Sequence, residues 1–148
     1  MKEKFGNMFN FQADAYCVTT NGIVKSNGRA VMGAGVALSA ATIYPDCDKH
    51  LGRFIRANGH KVGVFHTTNN LDNNISLISF PTKYHWKDPS DIKLIEKSAK
   101  ELMEIIDKNL YNVVVLTRPG VGCGGLKWED VKKVIEPILD DRVIIVSL

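Results

Sequence analysis

The sequence predicts an α/β fold in three layers: a mixed, mostly parallel sheet with helices on both faces. Three observations predict it. Strand-like and helix-like segments alternate along the chain, and such alternation places a sheet between helical layers. Two glycine-rich loops each follow a strand-like segment. The length, 148 residues, is about that of one domain and is enough to bury one sizeable core. Residues 1–148 are therefore read as one unit.

The elements follow in order. Residues 14–20 (DAYCVTT) form the first clear strand, stopped by Asn21-Gly22. Residues 33–44 form a helix that opens from a glycine-rich loop and ends at Pro45. Residues 48–58 form a second helix, ended by Asn58-Gly59. Residues 61–67 and 74–80 read as strands joined by a polar turn at 69–73. Over residues 90–110, Ile92, Ile95, Ala99, Leu102, Ile106 and Leu110 recur at steps of three and four, which lines them on one helical face. Residues 113–116 are a β-branched run too short for a helix, hence a buried strand. Trp128, Val131, Ile135 and Ile138 again share a helical face, with Glu129 and Asp130 in the first turn, where the macrodipole favours acids. Residues 142–147 (RVIIVS) make the last buried strand.

Composition narrows the class. Hydrophobic residues are 45% and charged residues 24%, ordinary for a globular protein. A formal charge of +3 and a pI near 8.7 suit an anionic ligand, but fall short of the basicity of a dedicated nucleic-acid domain. Cys17, Cys47 and Cys123 are odd in number with no C-x-x-C pair. That argues against a disulfide framework or a zinc site and for a reducing compartment. Residues 1–12 hold no apolar run of signal-peptide length, and no segment approaches the ~18 apolar residues of a membrane span. The expectation is a cytoplasmic protein with no membrane partner, complete as it stands.

Ligands of open α/β sheets bind beyond the carboxyl ends of strands, so the loops there carry the chemistry. The first, NGRAVMGAG at residues 27–35, leads into a helix. Its glycines let backbone N–H groups approach an anion at a helix N-terminus; a tight turn with close helix packing reads equally well. The second, PGVGCGG at residues 119–125, satisfies G-x-G-x-x-G literally. This argues weakly for a dinucleotide fingerprint, which needs another strand after the helix, an acid ~20 residues on and the rest of a nucleotide-binding half, whereas one strand follows here. Two glycine loops on one small sheet can instead clamp a diphosphate. Third, SFPTKYHW places Lys83 just after a strand among Tyr84, His85 and Trp86. A lysine held near aromatic surface can have its pKa lowered and act as an amine nucleophile on a sugar, or it can be a solvated surface lysine. His85 can be a general acid or base or a hydrogen-bonded structural residue, and Trp86 can pack or stack on a ligand. Asp46, Cys47, Asp48 and His50 are metal-capable types at no standard spacing, and Asp46 or Asp48 reads as a helix N-cap. Cys123 reads as a thiolate nucleophile or a small packed residue. Arg53, Arg56 and Lys61 are a solvated surface or the edge of a nucleic-acid site. No metal or cofactor is implied.

Taken together, MGAGVAL at residues 32–38, FPTKYHW at 80–86 and GVGCGGLKW at 120–128 resemble the macrodomain family. Within it they resemble the branch that contains the terminal ADP-ribose glycohydrolase of animals and the antitoxins that reverse ADP-ribosylation of thymidine in DNA. The resemblance runs from Phe5 to the Trp128 helix. It implies a three-layer macrodomain whose ligand is ADP-ribose, free or linked to protein or nucleic acid. The loop at Met32, Gly33, Ala34, Gly35 and Val36 would hold the phosphates through backbone N–H groups. Gly120, Val121, Gly122, Cys123 and Gly124 would close over the diphosphate and distal ribose. Asn21, where DAYCVTTN matches the family's DAIVNAAN, would face that ribose, and Lys83 would attack its anomeric carbon. Asn7 and Met8 fall in a Gly-Asp-φ-x pattern whose aspartate receives the adenine amino group. Asn7 in its place can accept through the amide oxygen but loses the charge, and a hydrogen bond to a charged group is worth about 1.5–3 kcal/mol against about 0.5–1.5 for a neutral one. The glycohydrolase's aspartate shortly after GCG is also missing; Gly125-Leu126-Lys127 stands there. A hydrolase that uses lysine alone is the leading expectation. A non-catalytic ADP-ribose reader and a phosphatase acting on ADP-ribose 1″-phosphate are the alternatives.

Overall fold

The computed structural model describes residues 1–69 and 74–148. Six strands run β1 (Lys2–Phe5), β2 (Ala15–Thr20), β3 (Gly63–Asn69), β4 (Asn74–Pro81), β5 (Val114–Thr117) and β6 (Val143–Ser147). Four α-helices intervene: α1 (Gly35–Ile43), α2 (Cys47–Asn58), α3 (Ile92–Asn109) and α4 (Trp128–Ile135). The sheet order is β1-β6-β5-β2-β4-β3. Every neighbouring pair is parallel except β3 with β4, which is antiparallel. The polar turn expected at 69–73 lies, beyond Asn69, outside the described residues.

Period-two alternation assigns the two faces. On β2, Ala15 and Cys17 point to one core with Ile95, Ala99, Leu102 and Ile106 of α3 and Val131 and Ile135 of α4. Tyr16 and Val18 point to the other, with Ala37 and Ala40 of α1 and Cys47 and Leu51 of α2. β5 does the same: Val114 and Leu116 face the first core and Val115 the second. Consecutive side chains of a strand stand on opposite faces, and both faces are covered, so these short strands read as unbroken apolar runs.

Four details differ from the sequence reading. Leu110 is not on the apolar face of α3 but stands exposed as its left-handed C-cap. β1 is an additional edge strand. Helix α4 stops at Ile135, because Pro137 has no N–H to continue it; Ile138 instead closes a turn through its N–H to the Ile135 carbonyl, 3.0 Å. Asp46 occupies the N-cap position of α2 in the left-handed region (φ 67°) and its side chain caps nothing. Both carboxylates grip Arg29, Asp48 at 2.8 Å and Asp46 at 3.2 Å, while Asp48 Oδ1 also accepts the Lys49 N–H in the first turn at 2.9 Å.

That grip fastens residues 22–34 onto α2. The Ala30 N–H donates to the Asp48 carbonyl at 2.9 Å, and Gly52 of α2 is packed directly beneath the Gly28 carbonyl, where a Cβ would collide with backbone. No side-chain motion can relieve such a collision. Gly52→Ala is expected to destabilise the protein by about 1–3 kcal/mol, the cost of overpacking, read as a fall in melting temperature. An unchanged melting temperature would show that the loop does not sit on α2 as described.

Candidate active site

A cleft of about 1010 Å³ opens at the carboxyl ends of the parallel strands, at the upper end of the ~300–1,000 Å³ typical of small-molecule sites. Its two long walls are the glycine loops. One is Met32 to Val36, running into the first turn of α1. The other is Gly120 to Gly124, whose last three residues form a 3-10 turn. Asn21 and Lys83 follow β2 and β4 at one end, and Asn7 and Met8 follow β1 at the other. All fourteen residues singled out above thus line one cleft.

The walls present backbone donors. The N-cap of α1 is Ala34, which offers no side-chain cap, and its first turn holds no acid. The first N–H groups of the helix are left for whatever lies in front of them, and the dipole there favours negative charge. Opposite, Gly122 has φ +79° with open space where a side chain would be, so the turn can come close to a ligand only because it is glycine. Gly124 is held differently. Its carbonyl accepts the Ser90 N–H at 2.9 Å, and a Cβ on it would collide with Ser90 Oγ. Among the lining residues there is no acidic side chain, whereas Lys83 and Arg118 are cations. The chemistry is that of an anion site.

The side chains at the two ends are already engaged. Asn21 Oδ1 accepts the Ile23 N–H at 3.0 Å, and Nδ2 donates to the Val31 carbonyl at 3.4 Å, so Asn21 spans the base of the first loop. Asn7 Oδ1 accepts the Phe9 N–H at 2.9 Å and caps the short 3-10 turn that contains Met8; one lone pair of that oxygen stays open to a ligand. The Lys83 carbonyl receives the Nε2 of His60 at 2.8 Å. Among the described residues no carboxylate lies within ion-pair reach of the Lys83 amine.

The remaining candidates divide. Trp86 lines the cleft and is 49% exposed. His85 is structural: its Nδ1 accepts the Lys87 N–H at 3.1 Å, and its ring stacks on Trp86. Cys123 is exposed on the cleft wall. His50 lies against His66, Nδ1 to Nδ1 2.7 Å, and no cluster of three metal-capable side chains forms among the described residues. Sequence reasoning missed Arg118, which lines the cleft with its guanidinium 4.9 Å over Trp128. It also missed Ser90, buried under the second loop with its hydroxyl unpartnered. The position of Arg118, one residue past β5, was the available signal for the first; nothing marked the second.

Known proteins are similar in sequence and in fold. The chain is 30% identical over 130 residues to a Mycobacterium tuberculosis protein named DNA ADP-ribosyl glycohydrolase, and 29% over 137 residues to a Thermus aquaticus protein of the same name. The matches cover 86% and 91% of this chain but 35% and 36% of those proteins, so the chain spans about a third of their length. Among solved structures it resembles the macrodomain of Mycobacterium tuberculosis DarG, with TM-score 0.83, 27% identity, and 99% and 97% of the two chains covered. The macrodomain of Thermus aquaticus DarG gives 0.79, 28%, and again 99% and 97%. The model of the Macro domain matches residues 24–135, a span that takes in both glycine loops and Lys83. The chain belongs to the Macro domain family.

Proposed function

We propose that the cleft binds ADP-ribose and that the chain hydrolyses its bond to a modified base in DNA, with Lys83 as nucleophile. One observation carries the reading: an amine without an acidic partner stands at the end of a cleft whose two walls present backbone N–H groups to an anion. The diphosphate would take N–H groups of Gly33 to Val36 and of Gly122 to Gly124. Asn21 and Lys83 would flank the distal ribose, with Asn7, Met8 and Phe9 at the adenine end. The Lys83 amine attacks the anomeric carbon and gives up a proton as the new bond forms. The bond from that carbon to the acceptor breaks, its electron pair goes to the acceptor, and the acceptor takes up a proton. The lysine adduct then opens: its nitrogen forms an imine with the anomeric carbon while the ring oxygen leaves that carbon and takes a proton, and water hydrolyses the imine, giving ADP-ribose and restoring the amine.

Two features support DNA as the acceptor. The relatives above are named for that activity. Beside Lys83, Tyr84 is 61% exposed, and Lys87 sits 5.0 Å over the Trp86 ring; unstacked bases bind such aromatic and cationic rims. Stacking on a ring is worth about 1–3 kcal/mol per base. Tyr84→Ala is therefore expected to weaken binding of a modified oligonucleotide at least about fivefold, with free ADP-ribose bound as before. The three unpaired thiols support a reducing, cytoplasmic setting.

The test offers the protein single-stranded DNA ADP-ribosylated on thymidine, a glutamate-linked peptide and ADP-ribose 1″-phosphate, and follows the products. Release of ADP-ribose from DNA is expected. Binding of ADP-ribose without release from any substrate would leave a reader, and release of inorganic phosphate would make the site a phosphatase.

A further inference from the structure

His60 stands between the two strand ends that carry Asn21 and Lys83. Its Nε2 lies 2.8 Å from the Lys83 carbonyl oxygen. A carbonyl only accepts, so Nε2 bears the proton and Nδ1 of the neutral ring is a bare acceptor. That Nδ1 is buried and has no partner among the described residues. The ring also abuts Gly22, where a Cβ would fall 2.7 Å from its Cγ, and Tyr84 closes over it edge to face at 6.3 Å. A hydrocarbon ring would fill this space without stranding a buried acceptor, which costs free energy. The donor, rather than the packing, explains an imidazole here.

The stretch it holds is otherwise loosely tied. The Thr82 N–H donates to the Thr20 carbonyl at 3.1 Å, and the Thr82 carbonyl accepts from Asp91 at 2.8 Å. Beyond Thr82 the chain leaves the sheet for the bends at residues 84–88. We propose that His60 is a positioning residue for the hydrolysis: through Nε2–H it fixes the backbone of Lys83, and through its ring it sets that backbone against the Asn21–Gly22 turn. The inference rests on the reading of Lys83 as nucleophile. A displacement of the nucleophile by about 1 Å can cost about a hundredfold in rate, whereas among the described residues no hydrogen bond joins His60 to the glycine walls proposed to hold the diphosphate. Losing the donor therefore slows the reaction and spares ligand affinity. Burial lowers the pKa of His60 from its ordinary value, and the hydrogen bond to the Lys83 carbonyl and the Glu101 carboxylate only partly oppose this, in keeping with a neutral donor.

The test compares wild type, His60→Phe, which keeps a ring without the donor, His60→Gln, whose amide N–H falls near Nε2, and Lys83→Arg. Single-turnover release from ADP-ribosylated DNA and calorimetric affinity for ADP-ribose are measured on each. Expected are a fall in rate of about tenfold or more in His60→Phe with affinity within about threefold, and recovery to within about threefold of wild type in His60→Gln. In the wild type, nitrogen-15 NMR should show the Nε2–H tautomer, an observation that needs no variant to fold. The proposal is overturned by an Nδ1–H tautomer, by a wild-type rate in His60→Phe, or by a joint loss of rate and affinity that His60→Gln does not restore. Wild-type release by Lys83→Arg would remove the nucleophile reading and this inference with it. An inactive Lys83→Arg beside a fully active His60→Phe would remove this inference alone.

Discussion

Lys83→Ala and Lys83→Arg are both expected to bind ADP-ribose yet to release it from modified DNA about a hundredfold more slowly than wild type, or slower still, the loss typical of removing a group that acts on the reacting centre. The pair separates two roles of one side chain. Alanine removes both the charge and the amine. Arginine keeps a cation in a cleft whose lining has no acidic side chain, but its guanidinium stays protonated and does not form the adduct. If Lys83 served only to attract the diphosphate, arginine would preserve release and alanine would lower affinity first. Calorimetry on the free ligand beside single-turnover release distinguishes the two outcomes.

Gly124→Ala is expected to lower ADP-ribose affinity by about fivefold or more, and Ser90→Gly in the same chain is expected to restore most of it. The Cβ of an alanine at 124 would collide with Ser90 Oγ and lie 3.0 Å from Ser90 Cβ. The Ser90 N–H, meanwhile, holds the Gly124 carbonyl at 2.9 Å, so the loop cannot rise without losing that bond. Something must give, and what gives is the wall proposed to face the diphosphate. Removing the serine side chain takes away both colliding atoms and no hydrogen bond, because its hydroxyl has no partner. Overpacking of this kind costs about 1–3 kcal/mol, or about five- to 150-fold if it all appears in binding. Failure of the double variant to recover would mean that the second loop does not rest on Ser90. Gly52 makes the useful contrast, since its obstacle is the Gly28 carbonyl and no second substitution can remove it.

The sheet and its layers were legible in the sequence wherever burial was two-sided. β2, β5 and β6 are apolar runs with almost every residue buried, and α3 carries its apolar face at steps of three and four. β1 was not legible, because Lys2 to Phe5 are all exposed along an edge and the strand owes its existence to pairing with β6. The antiparallel direction of β3 was legible from the short link to β4, since parallel neighbours need a crossover of a dozen or more residues. The glycine walls and Lys83 could be found because they follow strands within short motifs. Asp46 holds the N-cap position that was expected, but the charges of Asp46 and Asp48 meet Arg29, 17 and 19 residues earlier, and no local rule anticipates a partner across a loop. His60 and Ser90 escaped for the same reason. Each acts on a residue 23 or more positions away, a relation that exists only once the strand ends are side by side.

The claim that Lys83 is the nucleophile is tested most directly by stopping the reaction on ADP-ribosylated DNA during a single turnover with borohydride, which reduces an imine between lysine and the opened ribose to a stable amine, and then locating the adduct by peptide mass. The expected result is one ADP-ribosyl group on Lys83, absent from Lys83→Arg. Release that proceeds at the same rate in wild type and Lys83→Arg, with no lysine modified in either, would contradict the account.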